Sequence, residues 1–267
     1  MAGGGINERR NRVTLALASL PLVSFLLIPT AGLLLRVSPK EVLGTFLDPQ
    51  AAQAVNLSVL TTLVTVFLTV IFGTPLAYLI ARKEFPGKGA LDAIIDLPIV
   101  IPPSVAGVAL LVAFGRRGIP GAFLGSLGFA IPFSTAAVVM AQLFVSSPFY
   151  VKTLAVALAS VDRDLEQAAA VDGASGWQVF RRVTLPLSLR GAIGGAIMTW
   201  ARALGEFGAT ILFAGNFPGR TQTMPLAIYI GFEIDMRVAL SLAAILLVTS
   251  FAVLAVVKGL SGKWTGR

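Results

Sequence analysis

Long apolar runs alternate with short polar segments along the 267 residues, and that rhythm sets the first expectation. A hydrocarbon core of about 30 Å is crossed by a helix of about 20 apolar residues. Six stretches have that character: 13–35, 57–81, 93–114, 132–157, 189–214 and 238–257. The pattern predicts an all-α integral membrane protein with about six transmembrane helices, forming one domain over 1–267. The first run follows three arginines, as a secretory signal would. Its length of about 23 residues exceeds the roughly 7–15 of a signal's apolar region, and no small-residue cleavage site ends it, so it reads as a retained helix. Between the first two spans, Pro39, Glu41 and Asp48 predict a short interfacial helix on the outer side.

Two spans break the uniform pattern. In the third, Pro98, Pro102 and Pro103 each remove a backbone donor, which predicts a kinked or broken helix. Broken backbone at membrane depth needs protein or a wet cavity to satisfy its carbonyls. The third span is therefore either bent to fit its neighbours or a pathway-lining helix, with Pro102, Pro103 and Ser104 as candidates. In the fifth, Arg202 and Glu206 share one helical face and are spaced for an ion pair. An unpaired charge at mid-membrane costs about 2.5–3.5 kcal/mol on insertion scales. The pair either locks helices together or lines an anion route with Thr210. Asp96, near the start of the third span, is placed to pair with a basic loop residue. The glycine-rich stretch 115–131 reads as an outer loop or a partly re-entrant segment. Beyond the fifth span, Asn216, Arg220, Thr221 and Thr223 either meet a partner on the outer side, line a vestibule, or decorate an ordinary polar loop.

Composition narrows the chemistry. There is no cysteine and no histidine, which excludes disulfides, thiolate metal sites and the commonest proton shuttle. No catalytic residue and no metal site is predicted. The net charge of +8 is explained by topology rather than by nucleic acid. With the N-terminus cytoplasmic, 14 of the 21 basic residues fall inside: Arg9, Arg10, Arg12, Arg82, Lys83, Lys88, Lys152, Arg163, Arg181, Arg182, Arg190, Lys258, Lys263 and Arg267. Arg116 and Arg117 are the outer exception, and both termini are expected in the cytoplasm of a multi-pass inner-membrane protein.

The segment between the fourth and fifth spans, 160–186, is too polar to cross a bilayer and carries helix punctuation. Asp162 is a candidate N-cap, with Asp164 and Glu166 in the first turn where negative charge meets the helix dipole. Gly173 offers a C-cap, and Ser175 with Gln178 has capping-box spacing. A second short helix carrying Trp177 and Phe180 beside Arg181 and Arg182 is expected to stop at Pro186. The product is a knob with an apolar tip, suited to a partner or to the membrane surface.

This segment resembles the EAA loop of ABC importer permeases. Gln167, Ala168 and Ala169, then Gly173, then Val183, Leu185 and Pro186 keep the family's spacing. Gln replaces the usual Glu, with Glu166 just before it, and Val replaces Ile. The resemblance implies a type I importer (MetI-like) architecture in which Glu166, Gln167, Ala168, Ala169, Asp172, Gly173, Ala174, Val183, Leu185 and Pro186 form the coupling helix that docks on an ATPase. It also implies a homodimer, two ATPase subunits holding ATP and magnesium, and an extracytoplasmic binding protein, with no cofactor on this chain itself. Two further stretches, 95–118 and 200–229, are similar to molybdate and tungstate permeases, and GNFPGRTQTMPLAIY after Ala214 is the more discriminating part. Asn216, Arg220 and Thr221 are then candidates for contact with the binding protein. The sequence holds no G-x-x-x-x-G-K-[ST] phosphate loop, so the ATPase is expected on another chain. A sulfate or other oxyanion permease is the near alternative. A secondary anion transporter, driven by an ion gradient, is the alternative of another class, and an intramembrane enzyme with serine, lysine or carboxylate chemistry is the most remote.

Overall fold

The computed structural model describes residues 4–262, with side chains from Thr14 to Val256. These residues form helices and no strand. The basic side chains at Arg9, Arg10, Arg12 and Lys258, and residues Lys263 and Arg267 entirely, lie outside what is described. α1 (Gly4–Arg36) is followed by α2 (Pro39–Leu47), the short helix expected between the first two spans. Ser38 starts α2 with a full capping box: its N–H donates to Glu41 Oε2 at 2.7 Å, and Glu41 N–H donates to its hydroxyl at 3.3 Å. α3 (Pro49–Arg82) starts earlier than the apolar pattern suggests, because Asp48 caps it and Pro49 occupies its first turn.

The third expected span is broken into α4 (Lys88–Val100) and α5 (Pro103–Phe114), bent by 116° at Ile101 and Pro102. Segment 115–131 contains α6 (Ile119–Ser126), whose Gly121 is buried against the last carbonyls of α5. Then come α7 (Thr135–Ala159), α8 (Arg163–Val171), α9 (Gly176–Val179), a π-helical turn over Phe180–Thr184, and α10 (Leu185–Leu204). α11 (Gly208–Phe213), α12 (Met224–Ile234) and α13 (Met236–Gly262) complete the described chain.

Among the described residues, four helices are long and apolar enough to cross a membrane: α1, α3, α7 and α13, or five if α4 and α5 count as one bent span. The remaining expected span, 189–214, is divided between α10 and α11 by Gly205, Glu206 and Phe207. Its lower apolarity has a reason: α10 faces protein, and Ser188, Ala192, Gly195, Thr199 and Ala203 are buried on it.

α7 is the hub of the bundle. Its first half joins α5 and α11 in one apolar cluster around Ala141 and Phe213, and its second half joins α3, α4 and α10 in another around Tyr150 and Leu154. A third cluster ties Ala51, Leu204, Met224 and Leu242 together. α1 stands at the periphery with Phe25, Ile28 and Leu35 exposed, as a lipid-facing helix should. Within lipid, apolar faces supply little association energy between helices, so hydrogen bonds and close packing matter more. A polar seam on α3 provides them. Gln142 Nε2 donates to Thr61 at 3.2 Å, Thr65 donates back to Gln142 Oε1 at 3.1 Å, and Trp200 Nε1 donates to Thr62 at 3.0 Å.

Candidate functional site

Residues 160–186 fold as a knob at the end of the bundle where α3 finishes and α7 leaves. Asp162 Oδ1 accepts the Asp164 N–H at 2.9 Å and opens α8. α8 closes in a Schellman arrangement: Ala174 N–H donates to Ala169 O and Gly173 N–H donates to Ala170 O, each at 3.0 Å. Gly173 has φ +89°, a left-handed conformation that Cβ penalises, which is why glycine belongs there. Ser175 and Gln178 form the expected capping box.

The helix that starts there does not stop at Pro186. Backbone continues from α9 through the π turn into α10, and Leu185 N–H donates to Phe180 O five residues back. A proline ring clashes with the carbonyl four residues before it and offers no N–H. The wider π turn accommodates that ring, so the helix is swollen rather than ended. Val183, Leu185 and Pro186 therefore belong to the root of α10, while Gln167, Ala168, Asp172 and Gly173 lie exposed on the knob and Ala169 and Ala174 are half-buried. α8 buries none of its own residues, and Leu165, Val171 and Trp177 are exposed at 50%, 87% and 67%. Glu166 points back to the bundle, 3.1 Å from Arg82 Nη2 and accepting the Thr184 hydroxyl at 2.6 Å. Phe180 links the knob to α3, with its ring edge-on to Tyr78 at 5.2 Å and stacked on Trp177 at 5.5 Å.

The second group of candidates gathers where the two broken spans cross. Gly208 opens α11 against Pro103 and Ser104, and Gly107 of α5 lies against the Ala209 backbone. Pro102, Pro103 and Ser104 are exposed at this elbow. Glu206 is 1% exposed: one oxygen caps α11 by accepting the Ala209 N–H at 2.8 Å, and the other meets Arg202 Nη1 at 2.9 Å. Arg202 keeps 30% of its side chain accessible. The arrangement holds α10 to α11 and leaves part of the Arg202 side chain accessible.

Thr210 is fully buried, and its hydroxyl has no partner among the described residues, nor do Asn216 Oδ1 and Thr223 Oγ1. Thr221 is buried too and accepts the Phe217 N–H at 3.0 Å, so it shapes the loop from within. Of the outer candidates, Arg220 presents an exposed side chain, while its carbonyl accepts the Thr135 hydroxyl at 2.9 Å. Asp96 finds its cation inside the bundle rather than in a loop. With Asp92, it flanks Lys152 of α7 at 2.9 and 2.7 Å, because α4 packs along that helix. Sequence reasoning missed Asp92, although its spacing of four from Asp96 put both on one face. It also missed Arg82, which no motif contains.

Comparison with known proteins places this arrangement. The family described as binding-protein-dependent transport system inner membrane component matches residues 73–259. The molybdenum transport system permease protein ModB of Escherichia coli is 46% identical over 183 residues, covering 68% of this chain and 80% of that protein. The molybdate/tungstate transport system permease protein WtpB of Thermococcus kodakarensis is 36% identical over 244 residues, 91% of this chain and 92% of its own. The sulfate transport system permease protein CysW of Synechococcus elongatus is 36% identical over 270 residues, 98% and 94% of the two chains. Among solved structures, a chain of a bacterial ABC transporter that imports alginate superposes with a TM-score of 0.74 over 97% of this chain and 98% of that one, at 16% identity. That likeness speaks to the fold alone.

Proposed function

The chain belongs to the family of binding-protein-dependent transport inner membrane components, and on that premise we propose that it is the permease subunit of an ATP-driven importer of molybdate and tungstate. The observation that carries the importer reading is the knob itself: a capped helix pair at the end of a membrane bundle, with Leu165, Val171 and Trp177 turned outward and their supporting residues tied to α3. An exposed apolar tip on a rigid mount is built to enter a socket. The chain has no phosphate loop, so the socket is assigned to a separate ATPase, two copies of which bind ATP and magnesium beneath a permease homodimer.

Closure of the ATPases draws the two knobs together, and the bundles turn from inward-facing to outward-facing. An extracytoplasmic binding protein then delivers the oxyanion, with Asn216 and Arg220 on the receiving face. The termini and the knob lie in the cytoplasm, in agreement with the basic residues at the knob end. Arg202, Ser104 and the α5 elbow line the route, holding a tetrahedral dianion weakly enough to let it go.

The choice of oxyanion rests on the similarity to ModB and WtpB, and CysW keeps sulfate as the second reading. Proteoliposomes holding this chain with its ATPase and binding protein decide both. ATP-dependent uptake of molybdate and tungstate with little sulfate, lost in Gly173→Trp, is the expected result. Dominant sulfate uptake would move the assignment to the second reading. Uptake that ignores ATP and survives Gly173→Trp would return the secondary transporter to first place.

A further inference from the structure

The knob hangs on a side chain outside its own motif. Arg82 is the last residue of α3, and its side chain is 6% exposed. Its Nη2 donates to the Val161 carbonyl at 2.8 Å, just past the end of α7, and meets Glu166 Oε1 of α8 at 3.1 Å. The same Glu166 oxygen accepts the Thr184 hydroxyl at 2.6 Å from the π turn that leads into α10. One guanidinium thus joins the end of α3, the exit from α7, the first helix of the knob and the root of α10. One turn earlier on α3, Tyr78 meets Phe180 edge-on, which adds an apolar clasp beside the polar one.

The chain connects the knob only to α7 and α10, and α8 buries no residue that could weld it to the bundle. Without the hub, α8 is free to hinge at Val161 and Asp162. Charge-assisted hydrogen bonds held away from water are short and directional, and here the one Nη2 serves both acceptors while the buried Nε has no partner among the described residues. We propose that Arg82 is the positioning residue that makes the knob and α3 move as one body, so that a push on α8 and α9 reaches the bundle through α3 as well as along the chain into α10. The proposal rests on the reading of the chain as an ATP-driven importer.

The chain has no cysteine, so introduced pairs label without background. Asp164 on α8 and Leu79 on α3 are both exposed, and neither belongs to the apolar tip. Spin labels on Asp164→Cys and Leu79→Cys, in the full complex with its ATPase and binding protein in liposomes, report the distance between knob and α3 with and without ATP. One narrow distance common to both states is expected. Arg82→Met should broaden it and lower the number of oxyanions imported per ATP hydrolysed several-fold. Arg82→Lys should recover part of that ratio, and Thr184→Val, which keeps both charges, should lower it less.

A distance that changes with nucleotide in the otherwise unaltered chain overturns the proposal, as does a normal import-to-hydrolysis ratio in Arg82→Met. If Arg82→Met fails to assemble, normal ratios in both Arg82→Lys and Thr184→Val overturn it equally. A parent complex that never couples ATP to import sinks the importer reading instead. That result is distinct from a knob that shifts against α3 in a complex that transports.

Discussion

Replacing Gly107 with alanine tests how closely the two broken spans meet. A Cβ built at Gly107 lies 2.8 Å from the Ala209 carbonyl oxygen, 2.9 Å from Ala209 Cα and 3.0 Å from Leu212 Cβ. Non-bonded carbons prefer about 3.5–4.0 Å, so α5 and α11 must separate by about half an ångström or more. Two of the three atoms are backbone and cannot rotate away. Overpacking of this kind costs about 1–3 kcal/mol, and the crowding here belongs in the upper part of that range. Alanine returns about 1 kcal/mol through helix propensity. The net loss is about 1–2 kcal/mol, and at about 2–4 °C per kcal/mol for a protein of this size the midpoint falls by about 2–8 °C. Gly194→Ala on α10 is the matched control, because nothing lies within 4 Å of its Cβ position, and it should hold or raise the midpoint. Thermal unfolding in detergent, followed by tryptophan fluorescence, gives both values. A Gly107→Ala protein as stable as the parent would refute the backbone-to-backbone contact of α5 with α11.

Three other outcomes follow from the same geometry. Gly173 has open space around it at φ +89°, so Gly173→Ala costs only the left-handed backbone penalty of about 1–2 kcal/mol, and Gly173→Asn costs less; proteolysis of the loop in the isolated chain should rank them parent, Asn, Ala. Removing Arg202 leaves the buried Glu206 carboxylate without its cation and should cost about 3–5 kcal/mol, whereas Arg202→Met with Glu206→Gln should melt above Arg202→Met alone; additive losses in that cycle would deny the coupling. Glu41 lies on α2 outside the spans, and the Ser38 N–H, followed by the Ser38 hydroxyl, holds its carboxyl below the ordinary range, with Arg237 adding to the effect. A lowered carboxylate contributes stability above its unfolded value and loses it as pH falls through the folded one, so the α2 cap is closed at neutral pH and opens in acid. Amide exchange of α2 that stays constant down the acid range would contradict this.

Punctuation proved easier to read from sequence than continuity. Asp162, Gly173 and Ser175 each act through local hydrogen bonds, and those depend on residue type and spacing alone. Pro186 was readable as a break for the same local reason, yet the chain absorbs it in a π turn because α10 is held by α7 on its far side. Arg82 illustrates the opposite limit. It sits 79 residues from Val161 in sequence, and nothing in its neighbourhood announces the contact. Arg202 and Glu206 were visible as a pair, but the capping bond from the Ala209 N–H, which commits Glu206 to structure as much as to charge, required the break at Gly205 to be seen.

The two breaks explain each other. Pro102 and Pro103 end α4 and turn α5 through 116°, which leaves the start of α5 exposed inside an apolar but broken span. Gly205 and Phe207 interrupt the fifth span at the matching level, and Gly208 lets α11 begin directly against Pro103 and Ser104. Unpaired backbone inside a bilayer survives only beside protein or water, and each elbow supplies the other with protein. Part of the surface stays open, because Pro102, Pro103 and Ser104 are exposed and 30% of the Arg202 side chain is accessible. The pairing with Glu206 therefore does not use all of Arg202: its Nη1 meets the carboxylate, and part of the side chain stays accessible beside the elbows.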